Sequence, residues 1–223
     1  MLVRDRMTPN PITAQPETTH KQAAELMREH DIHHLPVVDK RGRLVGIIVE
    51  DDLFAAQPSS ATTLSIYEIH SLLSKLELKE IMRRPVYTVT GECSLEEAAG
   101  LMLKHDIGCL PVMEADRVVG IITDTDIFQA FVDLLGGDKE GGRFTLRLAD
   151  KPGVLAGVAQ AVANAGGNIV AVTAWQRTTD GQVFMTIKEQ GADFPQLRAA
   201  LDAIDAEVID VRETPICSPA QYS

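Results

Sequence analysis

Hydrophobic and polar positions recur in the same order twice within the first 135 residues. The segment LMREHDIHHLPVV (26–38) matches LMLKHDIGCLPVM (101–113), and LVGIIVEDDLF (44–54) matches VVGIITDTDIF (118–128). The second copy has lost one residue in the turn between its two matching segments. This self-similarity predicts two copies of one folding unit.

Each copy has the pattern of a helix, two strands joined by a turn, and a second helix. A capping box marks the first helix, Thr19-x-x-Gln22 in one copy and Ser94-x-x-Glu97 in the other. The short apolar runs LPVV, LPVM and GII suit strands that are buried on both faces. The second helix is predicted to begin at Asp51 in the first copy and at Thr125 in the second. Apolar residues on one face of the first helix are Ala23, Leu26 and Met27, matched by Ala98, Leu101 and Met102.

The segment that leads into each copy is also repeated. Met7 corresponds to Met82 and Pro11 to Pro85, and a short extended piece is predicted after each proline. Between the copies, QPSSATTLS (57–65) is predicted to be a loop. Ser65-x-x-Glu68 then caps a helix with one apolar face, which predicts a linker helix packed on the pair. That apolar face consists of Ile66, Ile69, Leu72, Leu73 and Leu76.

The pattern changes after residue 135. The segment GGDKEGG (136–142) has four glycines in seven residues and is predicted to be a flexible joint. The remaining elements follow in the order βαββαβ, which is the ferredoxin-like arrangement. The predicted elements are strands at 144–149, 168–176, 182–188 and 207–213, helices at 154–167 and 193–204, and a hairpin turn at 178–181.

Composition excludes several classes of protein. The formal net charge is −11 and there is no basic run, which argues against nucleic acid as the main partner. The three cysteines have no CxxC spacing, so reduced thiols in a cytoplasmic protein are expected rather than disulfides or a zinc site. No apolar stretch approaches the roughly 20 residues of a membrane helix, and the N-terminus lacks the apolar core of a secretory signal.

The motifs carry a resemblance to known families. The M-x-x-x-P start, the H-x-I-x-x-L-P-V segment and the G-I-I-T-x-x-D end resemble the CBS domain, which occurs in tandem pairs. D-K-P-G-V-L followed by G-G-N-I resembles the ACT domain, and the combination is similar to bacterial acetoin-utilisation accessory proteins of the AcuB type. The implied fold is α+β: a tandem CBS (Bateman) module followed by a ferredoxin-like βαββαβ ACT domain. The expected boundaries are 1–56 for CBS repeat 1, 57–77 for the linker, 78–135 for CBS repeat 2, 136–142 for the joint, 143–214 for the ACT domain and 215–223 for a frayed tail.

Catalytic and metal-binding motifs are missing from the sequence, so no enzyme activity, prosthetic group or metal is expected. Carboxylate pairs occur at Asp51-Asp52 and at Asp124 and Asp126, but each follows a predicted strand. At such a position aspartate mainly caps the next helix, and a hydrolase or transferase built on these pairs is the weakest hypothesis. The histidines of HDIHH (30–34) have no accompanying ligands, which disfavours a metal site.

The same junction has a possible second use in ligand binding. Thr123 and Asp126 lie three residues apart and share one face of the first helical turn. A carboxylate there can accept hydrogen bonds from both hydroxyls of a ribose, and in CBS pairs these positions hold the ribose of adenosine ligands. Repeat 1 keeps Asp52 but has Val49 in place of threonine, so Asp52 is the weaker candidate. The alternative is that both aspartates act only as helix caps.

The resemblance also suggests residues for the phosphate and the base. In the regulatory subunit of AMP-activated kinase, the H-x-I-H-R-L-P-V segment contacts ligand phosphate from the repeat opposite the ribose aspartate. His33 matches that histidine and His34 stands in place of the arginine, so both would complete the site of Thr123 and Asp126. The alternative is that His33 and His34 are solvated turn residues. The implied ligand is AMP, ADP, ATP or a related adenosyl compound, and the expected apolar slot for adenine consists of Val86, Tyr87 and Thr88 with Ile107 and Ile122.

A second ligand site is implied in the ACT part. Asp150 and Asn168 match the positions that contact an amino acid across a dimer interface in amino-acid-binding ACT domains, although Leu148 replaces a histidine of the serine-sensing relatives. Backbone N–H groups after Gly153, at a helix start, can donate to a carboxylate. The alternative is a module that only dimerises. The expected function is a non-catalytic regulatory ligand sensor, as a cytoplasmic homodimer; the alternative is a dimerising scaffold that holds a partner without a small-molecule ligand.

Overall fold

The computed structural model describes residues 1–58, 65–177, 179 and 181–213. Most of the predicted loop at 57–65, part of the predicted turn at 178–181 and the predicted tail lie outside the described residues. The chain divides into two compact units, Met1–Phe128 and a second unit from Gln129 onward. The two copies of the repeat together form the first unit.

The elements of the first unit follow the predicted order. Both capping boxes are present: Thr19 accepts a hydrogen bond from the Gln22 backbone, and Ser94 accepts one from that of Glu97. Each second helix begins one residue earlier than predicted. In chain order the elements are a 3-10 turn at Val3–Asp5, β1 (Thr8–Pro9), α1 (His20–His30), β2 (His34–Val38), β3 (Leu44–Val49), α2 (Glu50–Ala55), α3 (Ile66–Leu73), α4 (Leu78–Ile81), α5 (Leu95–His105), β4 (Cys109–Glu114) and β5 (Arg117–Thr123). The next helix, α6 (Asp124–Leu134), begins in the first unit, and its residues from Gln129 onward belong to the second.

The two copies exchange their leading segments. Strand β1 of the first copy pairs antiparallel with β5 of the second, with Thr8 opposite Ile121. In the same way Arg83, which leads into the second copy, exchanges backbone hydrogen bonds with Ile47 in β3 of the first. The exchanged strand therefore lies before Pro11, whereas the sequence pattern predicts the extended piece after this proline. After Pro11, Ala14 forms an isolated β-bridge with Val37 of its own copy.

Glycines in β3 and β5 make room for the exchanged segments. A Cβ atom on Gly120 would overlap the Met7 side chain, and a Cβ atom on Gly46 would overlap that of Met82. Each methionine of the repeated leading segment thus packs on a glycine of the opposite copy. Fully buried side chains around the paired strands are Leu35, Ile48, Leu110 and Ile122.

The linker helix forms where predicted, but part of its apolar face is open. Ser65 and Glu68 form the expected capping box at the start of α3, with the Ser65 backbone donating to Glu68 over 2.8 Å. Leu72, on the predicted packing face, remains 53% exposed. The predicted packing of α3 on the pair is therefore incomplete at this position.

The second unit has the predicted βαββαβ order. Within the described residues its antiparallel sheet has the strand order β7–β8–β6–β9. Alternate residues of β6 and β8 are buried in one core with the helices, and the intervening residues, such as Arg143 and Thr186, lie on the opposite face. The elements are β6 (Gly142–Ala149), α7 (Val154–Asn164), β7 (Asn168–Arg177), β8 (Gln182–Gln190), α8 (Phe194–Asp202) and β9 (Glu207–Arg212).

Candidate functional site

A cavity of about 460 Å3 lies between the two copies of the repeat. His33 and His34 line it from the first copy, and Thr123 and Asp126 line it from the second. The structure therefore brings together the four residues that the sequence assigns to ribose and phosphate. The other lining residues are Thr8, Asn10, Pro11, Ile12, His30, Asp31, Ile32, Ile121 and Thr125.

Asp126 caps the helix with one carboxylate oxygen and keeps the other available. Its Oδ2 accepts hydrogen bonds from the backbone N–H and the hydroxyl of Thr123, both at 2.8 Å. The Asp126 N–H in turn donates to the Thr123 hydroxyl over 3.2 Å. Among the described residues no donor to Asp126 Oδ1 is found. Helix capping therefore explains Oδ2, while Oδ1 can accept a hydrogen bond from a ligand hydroxyl.

His33 projects from the turn that joins α1 to β2. Asp31 ends α1 in a left-handed conformation, with φ of 52°, and so redirects the chain toward the cavity. The His33 ring is exposed, and its Nδ1 lies 2.7 Å from the Glu50 carboxylate. This contact orients the ring at the rim of the cavity, and a contact between exposed side chains adds little to stability.

His34 reaches from the first copy to the second. A Cβ atom on Gly108 would lie 3.4 Å from His34 Nε2 and 3.4 Å from Asp124 Oδ2, so the imidazole lies against the second copy close to Gly108. Burial lowers the pKa of His34, the Asp124 carboxylate opposes this change, and His33 and Arg83 lower the pKa further. The imidazole is therefore neutral at neutral pH, with one donor and one acceptor nitrogen.

We expect His34 to make folding stability depend on pH on the acidic side. Because its pKa is lower in the folded state than the ordinary 6.5, its contribution is fully present above about pH 6.5 and is lost as the pH falls through the folded-state value. His34→Gln should therefore flatten the fall of the urea midpoint below about pH 6.5. His30→Gln, at an exposed position on the same rim, is the control and should keep the wild-type slope. An unchanged slope in His34→Gln would contradict this role.

The corresponding junction of the first copy has different chemistry. The Arg83 guanidinium contacts both carboxylate oxygens of Asp52 at distances of 2.8–3.0 Å, and Asp52 is only 15% exposed. The Tyr87 ring stacks on His105, with ring centroids 3.8 Å apart. Because the Arg83 guanidinium pairs with both of its oxygens, the Asp52 carboxylate is not available to a ribose. This gives a structural reason for ranking Asp52 below Asp126.

The residues predicted to contact adenine do not line the cavity of Asp126. Val86 and Thr88 line a different cavity, Ile107 lines a separate groove on the second copy, and Ile122 is fully buried. Neither these residues nor Tyr87 line the cavity of Asp126. The reason is the exchange of leading segments, which brings the segment before α1 beside β5 and moves the segment after Pro85 to the other side.

Four residues that line the cavity of Asp126 were not predicted from the sequence. Thr8, Asn10, Pro11 and Ile12 form the wall beside Thr123 and Asp126. Ile12 has neither its backbone N–H nor its C=O paired with another backbone group of the described chain, so both can meet the polar edge of a base. A signal was present, because Met7 and Pro11 match Met82 and Pro85. His33 and His34 of the first copy were already expected to complete the site of the second copy. The same reasoning, applied to the segment before α1, predicts that it lines the cavity of Asp126.

The three ACT residues do not meet within one chain. Ala149, just before Asp150, pairs with Gln182, whereas Asn168 pairs with Gln190 at the other end of β8. At about 3.4 Å per residue, these ends lie about 27 Å apart. Gly153 precedes α7 near the Asp150 end, with φ of 89°. One amino acid can therefore contact Asp150 and Asn168 only if they come from different copies.

Neither a metal site nor a membrane-spanning helix is found in the described part of the chain. No group of three or more His, Cys, Asp or Glu side chains there is arranged to hold a metal ion. None of the helices in residues 1–58, 65–177 and 181–213 is both long and apolar enough to span a membrane. Burial raises the pKa of the Cys109 thiol to about 12, so this thiol is unreactive.

Comparison with known proteins assigns each part of the chain to a domain family. Residues 3–59 and 78–133 match the CBS domain, and residues 140–212 match the TTHA0829-like ACT domain. The structure of a proposed acetoin utilization protein (AcuB) from Vibrio cholerae is 39% identical, with a TM-score of 0.51, and covers 63% of this chain and 98% of that one. The CBS domain pair of protein MJ0100, in complex with 5′-methylthioadenosine and S-adenosyl-L-methionine, is 35% identical, with a TM-score of 0.50, and covers 62% and 98%.

A curated relative shows that the same module occurs in longer proteins. L-aspartate semialdehyde sulfurtransferase of Methanocaldococcus jannaschii is 35% identical over 139 residues, which are 62% of this chain. The matched segment makes up only 24% of that enzyme, and the share is similar in a homoserine O-acetyltransferase of Methanocorpusculum labreanum. The chain thus spans about a quarter of these relatives.

Proposed function

The chain belongs to the AcuB-type family of tandem CBS proteins with a C-terminal ACT domain, and from this premise we propose that it is a regulatory sensor of an adenosine-containing ligand. The observation that carries the proposal is the cavity in which Asp126 Oδ1, available to a ribose, faces His33 and His34 of the opposite repeat. The complex of a similar CBS pair with two adenosyl compounds supports the ligand class.

The proposed ligand lies across the junction of the two repeats. Its ribose hydroxyls donate to Asp126 Oδ1, and its base meets the backbone of Ile12 beside Pro11. The group carried on the ribose points toward His33 at the rim. A phosphate in that position would accept hydrogen bonds from an imidazole, and these bonds strengthen when the imidazole is protonated.

The proposed stoichiometry is one ligand per chain. Arg83 already satisfies the Asp52 carboxylate, and Val49 offers no hydroxyl at that junction. A ligand entering there would have to displace a guanidinium that holds both carboxylate oxygens. The cavity of Asp126 is therefore the site of choice.

A titration with adenosine, AMP, ATP, 5′-methylthioadenosine and S-adenosyl-L-methionine tests this function. At 100 times the dissociation constant, a true ligand should stabilise the fold by about 2.7 kcal/mol, and calorimetry should give about one site per chain. His33→Ala should weaken phosphorylated ligands more than adenosine, because the variant lacks the imidazole that donates to a phosphate. A flat thermal response to every compound would instead favour the dimerising scaffold.

Regulation rather than catalysis is the proposed role. A ligand changes the state of a protein only by binding one arrangement better than another, and a cavity formed by two repeats provides such a difference. The described cysteines Cys93 and Cys109 are both free thiols, which supports a reducing compartment such as the cytoplasm. The regulated partner would be an enzyme recognised through contacts outside the cavity.

We also propose that the protein is a homodimer in which the ACT domains of two copies meet. Asp150 and Asn168 can share one amino acid only across such an interface, and paired ACT sheets would cover exposed strand edges. Light scattering at micromolar concentration should give about twice the chain mass of 24.3 kDa. A mass of one chain would exclude both the dimer and the shared amino-acid site.

A further inference from the structure

A separate pocket of about 300 Å3 lies on the open face of the sheet in the second unit. Phe131 and Leu135, at the end of α6, form one wall, and Trp175 of β7 forms another. The pocket contains none of the residues considered above for an amino acid. Its volume is at the lower end of the range of about 300–1,000 Å3 that small-molecule sites occupy.

The sequence produces this pocket through the alternation of the strands. Val183, Met185 and Ile187 of β8 are buried against the helices, so Thr186 and Lys188 face the open side. Across from these two, β7 presents only small side chains: Thr173 opposite Thr186, and Ala171 opposite Lys188. The small side chains leave a depression between the strands and the helix end.

Two contacts make the walls rigid. The Trp175 indole N–H donates to the Thr186 hydroxyl over 3.1 Å, and its ring lies 5.1 Å from that of Phe184. The Lys188 ammonium donates to the carbonyl of Gly136, directly after α6. The tryptophan is nevertheless 53% exposed, so an aromatic surface is held in place and left open to a ligand.

The pocket is also positively charged. Arg143 of β6 and Lys188 of β8 both line it. The nearest carboxylate to Arg143, that of Asp210, lies 3.8 Å away and is engaged more closely by Arg212 at 2.8 Å. One carboxylate thus faces two guanidinium groups, which leaves net positive charge beside an apolar wall.

From this combination we propose that the pocket binds a small monocarboxylate with an aromatic or branched aliphatic body. The carboxylate pairs with Arg143, a residue suited to planar two-point contacts, and the apolar body fills the space over Ala171 between Trp175 and Phe131. The site is independent of the adenosine cavity, and the proposal does not rest on the proposed function.

Tryptophan fluorescence of the full chain tests the proposal directly, since Trp175 is the only tryptophan in the sequence. The probes are 4-methylpentanoate and phenylacetate, and their amides serve as neutral controls of the same shape. We expect a saturable change in emission with the acids and at least about tenfold weaker binding of the amides, because each amide lacks the charge that pairs with Arg143.

Variants in two walls of the pocket should distinguish binding at this site from non-specific quenching of the tryptophan emission. Ala171→Leu fills the pocket and Arg143→Gln removes the charge, and each should weaken the acids at least about tenfold. Arg147→Gln is the matched control, because Arg147 lies on the same strand face but pairs with Glu207 outside the pocket. Circular dichroism should show that all three variants are folded.

The proposal is overturned if the emission change does not saturate, if the amides bind as well as the acids, or if both Ala171→Leu and Arg143→Gln still bind. A change of molecular mass in Ala171→Leu, with no probe bound by the wild type, would identify the pocket as a contact between copies and would equally overturn it. Asp126→Ala should bind the acids normally, so failure here is distinguishable from failure of the adenosine site.

Discussion

Replacing Asp126 with alanine is expected to weaken adenosine-containing ligands at least about tenfold, since hydrogen bonds to a charged group contribute about 1.5–3 kcal/mol. Its Oδ2 is used in capping α6, and Oδ1 is the acceptor proposed for the ribose hydroxyls. Isothermal calorimetry with the best ligand from the panel measures the change. Binding of the variant at wild-type affinity would mean that Asp126 serves only as a helix cap.

Asp52→Ala is the matched control for this experiment. Asp52 holds the same capping position in the first copy and accepts a hydrogen bond from the backbone of Val49 over 3.0 Å. The substitution therefore removes an equivalent cap, together with the Arg83 ion pair, and leaves the Asp126 cavity intact. Its effect on affinity should be much smaller. Loss of binding in Asp52→Ala alone would place the ligand in the other junction.

Val3→Asp is expected to destabilise the first unit by about 2–4 kcal/mol, a large part of the 5–15 kcal/mol typical of a domain. Chain ends are usually frayed, but Val3 is fully buried and its N–H donates to the Cys93 carbonyl over 2.9 Å. An aspartate would place an unpaired charge in this contact between the copies. Urea unfolding gives the loss of stability directly.

Tyr67→Asp adds the same charge in the first turn of α3, where the side chain is 88% exposed. This control should stay within about 0.5 kcal/mol of the wild type. Val3→Asp should also weaken the adenosine ligand, because the same segment continues into Thr8 and Asn10 at the cavity wall. A stability of Val3→Asp equal to that of Tyr67→Asp would show that the N-terminal segment is not docked.

Local signals in the sequence were sufficient for most of the elements. Capping boxes depend on residues three apart, so Thr19 and Ser94 marked the helix starts without knowledge of the fold. The crossing of His33 toward Asp126 came from the family resemblance rather than from local chemistry. Val86 and Thr8 line different cavities because strand exchange depends on the tertiary fold, and no property of either residue by itself indicates which sheet its segment joins.

The ACT residues illustrate a constraint that topology alone could have supplied. In a βαββαβ unit the first two strands run parallel, so the loop after the first strand and the start of the second lie at opposite ends of the sheet. Asp150 and Asn168 occupy these two places. The open-face pocket had no such signal, because its shape depends on Ala171 and Thr173 being small beside the end of α6.

The exchange of leading segments bears on how such a chain could arise by gene duplication. In a single ancestral copy, the same pairing of the leading segment would require a second molecule, and such an exchange depends on concentration. Fusing two copies makes the swap intramolecular, at an effective concentration in the millimolar range for a short linker. Once fused, the copies can differ without separating: one junction has Thr123 and an available carboxylate, while the other has Val49 and an arginine that pairs with its carboxylate.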